Sequence, residues 1–141
     1  MGKKSKDEWS LKEFQPKNSP ERHIFRKNLF PVITPADPRY PFIAYLTFAY
    51  SPRDESGLPS SRDEEILVRV EEKEILCLEA NGLSVQVGAV LKSGIKDMLF
   101  YTRNPDEFLS MAEKFRDEYP QFKVSCEIGN DAEWACYRDF P

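Results

Sequence analysis

Between Asn104 and Pro120, apolar side chains fall at Phe108, Met111, Ala112, Phe115 and Tyr119. That spacing, i, i+3, i+4, i+7 and i+11, places all five on one side of a helix. Asn104 supplies a side-chain cap, Pro105 fits the first helical position, and Pro120 ends the run. The period then changes. In 122–128, Phe122, Val124, Cys126 and Ile128 alternate with Lys123, Ser125 and Glu127, the pattern of a half-buried strand.

The same contrast organises the rest of the chain. "PFIAYLTFAY" (41–50) is rich in β-branched and aromatic residues and predicts a buried strand. "SPRDESGLPS" (51–60) is loop by its Pro, Gly and Ser content. A helix follows over roughly 62–80, with Ser61 and Glu64 as a capping box and Asn81-Gly82 as its stop. Ile66, Leu67, Val70, Cys77 and Leu78 are its apolar side. "LSVQVGAVL" (83–91) and "IKDMLFYT" (95–102) form a hairpin across Lys92-Ser93-Gly94. Residues 1–20 read as a polar, basic, partly disordered leader, and 22–33 predicts one short edge strand in an N-terminal extension. Residues 21–141 then make a single α+β domain with the order β-α-β-β-α-β. The expected fold is ferredoxin-like, an antiparallel sheet with two helices on one face.

The chain closes on "NDAEWACYRDFP". Terminal segments are usually poorly ordered unless tied down. Asp131, Trp134, Tyr137 and Phe140 are therefore read as a structural tail: Asn130 or Asp131 caps a short turn, Glu133 completes a capping box, and Trp134 and Tyr137 press on the body together.

Composition narrows the function classes. Apolar residues make up 40% of the 141 residues and no run approaches a membrane span. The net charge of −4 is uneven: residues 1–28 hold eight Lys/Arg against four Asp/Glu, and the remainder is acidic. An acidic body argues against nucleic-acid binding, which needs cations to displace counterions. The start lacks the apolar stretch of a secretory signal, and Cys77, Cys126 and Cys136 have no paired spacing. Reduced thiols and a cytoplasmic location are expected, with Cys77 and Cys126 buried.

Candidate chemistry is sparse. His23 is the sole histidine and reads as a surface or packing residue, which excludes sites built on two or more histidines. The glycines are not gathered before a helix, so no phosphate loop is present. No catalytic residue, metal or cofactor is expected. Residues 62–82 hold seven acidic residues against three basic ones. They are either a solvated helix face or an acidic patch for a basic partner, with Glu71, Glu72 and Glu74 as the candidate surface.

"SPRDESGLPSSRDEEILVRVEE", "VQVGAVLKSGIKDMLFYT" and "NDAEWACYRDFP" together resemble the domain-of-unknown-function 695 family of bacterial proteins. The likeness is carried by Trp9, by Gly57, Leu58 and Pro59 before the acid-started helix, by Phe100, Tyr101 and Thr102, and by Asp131, Trp134 and Tyr137. More distantly, the family resembles type B regulators of ribonuclease E activity. The resemblance implies a fold and an aromatic tail, not an activity. The leading expectation is a non-enzymatic, regulatory protein that binds another protein through its acidic helix and an exposed sheet face. The alternative is a small-ligand or catalytic site on the sheet around Tyr45, Asp97 and Tyr101.

Overall fold

The computed structural model describes residues 8–141. Six strands form one antiparallel sheet: β1 (Trp9–Phe14), β2 (His23–Asn28), β3 (Phe42–Ala49), β4 (Ser84–Lys92), β5 (Ile95–Thr102) and β6 (Ser125–Asn130). Their order across the sheet is β1-β2-β4-β5-β3-β6. Helix α1 (Ser61–Arg69) continues through a π-helical turn at Val70–Glu74 into the short α2 (Leu76–Glu79). Helix α3 (Pro105–Glu118) joins β5 to β6, and α4 (Ala135–Asp139) ends the chain.

The helix periodicities hold where the backbone is regular. Asn104 caps α3 by accepting from the Glu107 N–H at 3.1 Å, and Phe108, Ala112, Phe115 and Tyr119 are buried. At α1 the cap is Ser60 rather than Ser61: its hydroxyl accepts from the Asp63 N–H at 3.2 Å. The expected alternation over 122–128 is present, but the ladder begins only at Ser125. Pro120–Phe122 forms a 3-10 turn and Lys123 sits at φ 46, so the first three residues serve the turn. Between β4 and β5, Ser93 and Gly94 have φ 50 and 86. This two-residue loop needs positive φ at both positions, which glycine supplies without steric cost.

Two expectations at the N-terminal end are corrected. Residues 9–14, read as loop, form β1, paired with β2 from Trp9↔Asn28 to Phe14↔His23. β2 is therefore interior, between β1 and β4, and not an edge strand. Backbone pairing on an outer strand asks little of the side chains, and four of the six β1 residues are exposed. The rest of the basic leader, residues 1–7, lies outside the described residues.

Both faces of the sheet are covered. On one, Leu46, Phe48, Met98 and Phe100 pack under Leu67, Val70, Leu78, Phe108 and Phe115 from the helices. On the other, Ile43, Val85, Val87, Leu99 and Tyr101 pack under Trp134 and Tyr137. The face expected to be open is thus largely occupied by the protein's own tail. Trp134 is fully buried and stacks on Tyr101 with ring centroids 4.0 Å apart. Its indole N–H donates to the Tyr40 carbonyl at 2.9 Å. The Tyr137 hydroxyl donates to the Asn28 carbonyl at 2.7 Å. Phe140 lies against Gly88, where an added Cβ would stand 2.9 Å from the ring.

Asp131 holds the tail's turn. Its carboxylate accepts from the N–H groups of Ala135 and Cys136 and from the Tyr101 hydroxyl, the last at 2.6 Å. Burial opposes ionisation, but these hydrogen bonds keep the carboxyl below its ordinary 3.8. Glu133, expected to close a capping box, is exposed.

The thiols divide unevenly. Cys126 and Cys136 are half-buried, whereas Cys77, expected in the core, is exposed. The π turn explains it. One extra residue in the turn rotates everything after Val70, so Ile75 takes the inward position that regular spacing assigns to Glu74, and Leu78 the one it assigns to Cys77. Native labelling with a thiol reagent is expected to modify Cys77 first, with Cys126 slow because burial pushes its thiol up to about 11. Labelling of Cys126 at the rate of Cys77 would contradict this packing.

Candidate functional site

Where α1, the π turn and α2 cross β2, β4 and β5, they enclose a cleft of about 780 Å³. Its walls are mainly apolar, with Leu67, Val68 and Leu76 from the helical side and Ile24, Ala89 and Leu91 from the strands. Size and lining fall in the range of small-molecule sites, roughly 300–1,000 Å³.

Charge is concentrated at the cleft's inner end. Glu71, the second residue of the π turn, is only 2% exposed. One carboxylate oxygen accepts from Arg26 Nη1 at 2.6 Å and from Gln86 Nε2 at 2.8 Å. The other lies 2.6 Å from Lys96 Nζ. Lys96 is itself buried, 8% exposed, and the Arg26 guanidinium lies 4.8 Å above the Trp9 ring. Strand geometry brings these together. Arg26 opposes Ala89 and Lys96 opposes Leu91, all on the face beneath α1. Beside them β4 bulges between Gln86 and Gly88, and the Gln86 N–H donates to Glu79 Oε2 at 2.9 Å.

Regular spacing from Leu67 already puts Glu71 on the sheet side, and the π turn opens around it. The Ile75 N–H reaches the Val70 carbonyl at 3.0 Å, a five-residue bond that widens the turn. Burial by itself would raise the Glu71 carboxyl. The Lys96 and Arg26 charges, with hydrogen bonds from Lys96 and Gln86, outweigh it and hold the carboxyl at about 2 against an ordinary 4.5. Glu71 is therefore a fixed anion at neutral pH, flanked by two cations.

The three acids proposed as one surface do not form one. Glu71 is buried in the ion cluster, Glu72 is exposed, and Glu74 is half-buried, accepting from the Tyr119 hydroxyl and facing Arg69 at 3.5 Å. Tyr45, Asp97 and Tyr101 do share a sheet face, but Tyr101 is sealed beneath Trp134 and bonded to Asp131. Asp97 accepts from the Thr47 hydroxyl at 2.7 Å, and burial raises its carboxyl while that hydrogen bond lowers it. The Tyr45 hydroxyl is pushed up by burial and by contact with Cys136. The tail thus fills the space where that ligand site was expected. His23 pairs with Glu21 at 2.9 Å. Among the described residues, no group of three or more His, Cys, Asp or Glu is placed to hold a metal, and no helix is long and apolar enough to cross a membrane.

Residues 21–140 match the model of a family of unknown function, DUF695. The chain belongs to this family. The matched stretch contains Arg26, Glu71, Gln86 and Lys96 and runs through the tail to Phe140, whereas β1 lies before it. No curated protein and no solved structure matches the chain. DUF695 membership thus accounts for the resemblance in the helix, hairpin and tail motifs and brings no ribonuclease regulator with it.

Arg26, Lys96 and Gln86 were not singled out from sequence. The signal for Lys96 was its place two and four residues before Met98 and Phe100, on the inward side of β5.

Proposed function

We propose that this DUF695 chain is a small-ligand-binding module whose site is the cleft between the π-turn helix and the β2–β4–β5 part of the sheet. The observation that carries this reading is the buried Glu71–Arg26–Lys96 cluster at the inner end of an apolar cleft. Burying Glu71 and Lys96, with Arg26 one-third exposed beside them, costs several kcal/mol per buried ion before pairing offsets it, and often leaves no net gain in stability. A π turn costs regular helix hydrogen bonding and is frequent at functional sites. Both features occur together, and both face the same concave space.

The test is a ligand-observed NMR screen of small organic molecules against the full chain and a Val68→Trp variant. Val68 is an exposed residue on the cleft wall, so the indole narrows the cleft without entering the core. Hits that disappear in the variant support the reading; hits that persist unchanged contradict it.

The core four strands run β6-β3-β5-β4 with α1 and α3 as crossovers. That order supports a ferredoxin-like unit extended by β1 and β2, and its crossover helix α1 is the element that forms the cleft. Free thiols at all three cysteines support a reducing, cytoplasmic setting as part of the same proposal.

A second reading, protein binding, draws on the loop after β2. Phe30 and Val32 are 65% and 80% exposed there, next to the half-exposed Leu29. A pull-down from host extract that loses its captured proteins on Phe30→Ser/Val32→Ser would favour it over the cleft; an unchanged set would remove it.

A further inference from the structure

Resting on the cleft reading above, we infer that the ligand is a small amphipathic monocarboxylate: an alkyl or aryl body along the apolar walls and a carboxylate head on Arg26 and Lys96. Hydrogen-bond capacity in the cluster is lopsided. Glu71 already has Arg26, Gln86 and Lys96 around its two oxygens. It has little left to offer a ligand donor. The cations are in the opposite state. A guanidinium carries five N–H donors and an ammonium three. Among the described residues, Arg26 and Lys96 each spend one on Glu71. Arg26, whose side chain is 35% exposed, and Lys96 therefore have donors to spare at this end of the cleft.

Charge points the same way. Arg26 and Lys96 against Glu71 leave one positive charge beside a low-dielectric wall. A monoanion balances it. A dianion would overshoot, and at the rim the exposed Glu64 and Glu72 outnumber the exposed Lys73. A cation would meet Lys96 and Arg26 directly. A planar carboxylate also matches the fork of a guanidinium, which favours this head group over a single-point acceptor. The body of the ligand is set by the walls: Leu67, Leu76 and Leu91 offer no polar side-chain atom to an inserted chain.

Calorimetric titration of the full chain with octanoate, octanol, octylamine and octyl phosphate tests this. Octanoate is expected to bind with a dissociation constant on the order of 0.1 mM, the range open to a ligand of this size. Octanol should be roughly tenfold weaker or more, octylamine weaker still, and octyl phosphate no tighter than octanoate. Arg26→Met removes the unbalanced charge and leaves the Glu71–Lys96 pair in place. It should weaken octanoate roughly 10–100-fold and leave octanol unchanged. Arg26→Lys, which keeps the charge but loses the fork, should fall between the parent and Arg26→Met. Thermal melts of both variants check that they remain folded. If octanol, octylamine or octyl phosphate binds as tightly as or tighter than octanoate and Val68→Trp abolishes it, the head-group inference fails while the cleft reading stands. Octanoate binding unaffected by Arg26→Met also overturns the inference. If none of the four binds the parent chain, both the inference and the cleft reading fall.

Discussion

A chain ending at Gly129 will melt far below the full-length protein, by roughly 20 °C or more, if it folds at all. The deleted tail holds Trp134, fully buried, and Tyr137, nearly so, and it covers Val85, Val87, Leu99 and Tyr101. Truncation exposes that face and removes Asp131, which organises the turn. Trp134→Ala isolates the largest single part. The substitution keeps a Cβ, so the cost of the residue's positive φ of 58 is the same in both proteins. What is lost is the stack on Tyr101 and the bond to the Tyr40 carbonyl. Changes of this kind cost about 3–5 kcal/mol in a packed site. Folded domains have only about 5–15 kcal/mol in total. Thermal unfolding should therefore show a drop of roughly 10–20 °C for Trp134→Ala. A truncated chain that melts with the parent would show that the tail is not part of the core.

Glu71→Lys is expected to be the most damaging single charge reversal in the acidic helix, by about 3–5 kcal/mol, because it leaves Lys96 buried beside two further cations. As a solvated face or partner patch, Glu71, Glu72 and Glu74 would all tolerate reversal; burial of Glu71 overturns that. Glu72→Lys, at an exposed position of the same turn, should stay within about 0.5 kcal/mol. Replacing Glu71 and Lys96 together by Met should cost much less than either reversal or single loss, since no unpaired ion of that pair remains. Acid titration reads the same cluster. The folded carboxyl is depressed, from 4.5 to about 2. Its contribution is complete above pH 4.5 and is lost as pH falls through about 2. The linkage amounts to ~3 kcal/mol. Denaturant melts of the parent should weaken across that window, and Glu71→Gln should lack this component. Equal acid sensitivity of the two proteins would contradict the buried ion cluster.

The regular elements were legible because their patterns are periodic and uninterrupted. Phe108 to Tyr119 keeps one helical face, Asn104-Pro105 marks its start, and the strands 41–50 and 95–102 lie where their apolar content placed them. The tail was legible too, since four large or capping side chains in twelve residues are hard to leave in water. β1 was not, because its paired backbone leaves Leu11, Lys12 and Glu13 in solvent and the segment reads as polar. The site was missed for a different reason. Glu71 follows Leu67 by four residues and so falls on the apolar stripe of α1, but it was grouped with its acidic neighbours by charge. The π turn, which no local pattern announces, then moved Cys77 out and Ile75 in. Lys96 and Arg26 come from strands 70 residues apart in sequence, and only the register of β2, β4 and β5 brings them to one carboxylate.

The cleft as a ligand site is tested most directly by two-dimensional amide NMR of the full chain titrated with octanoate. Shifts are expected to concentrate at Ile24, Arg26, Leu67, Val68, Glu71 and Lys96, and to saturate together with a single dissociation constant. Shifts centred instead on Tyr45 and Asp97 on the opposite face, or on the exposed loop at Phe30 and Val32, would contradict the account, as would a spectrum that octanoate leaves unchanged.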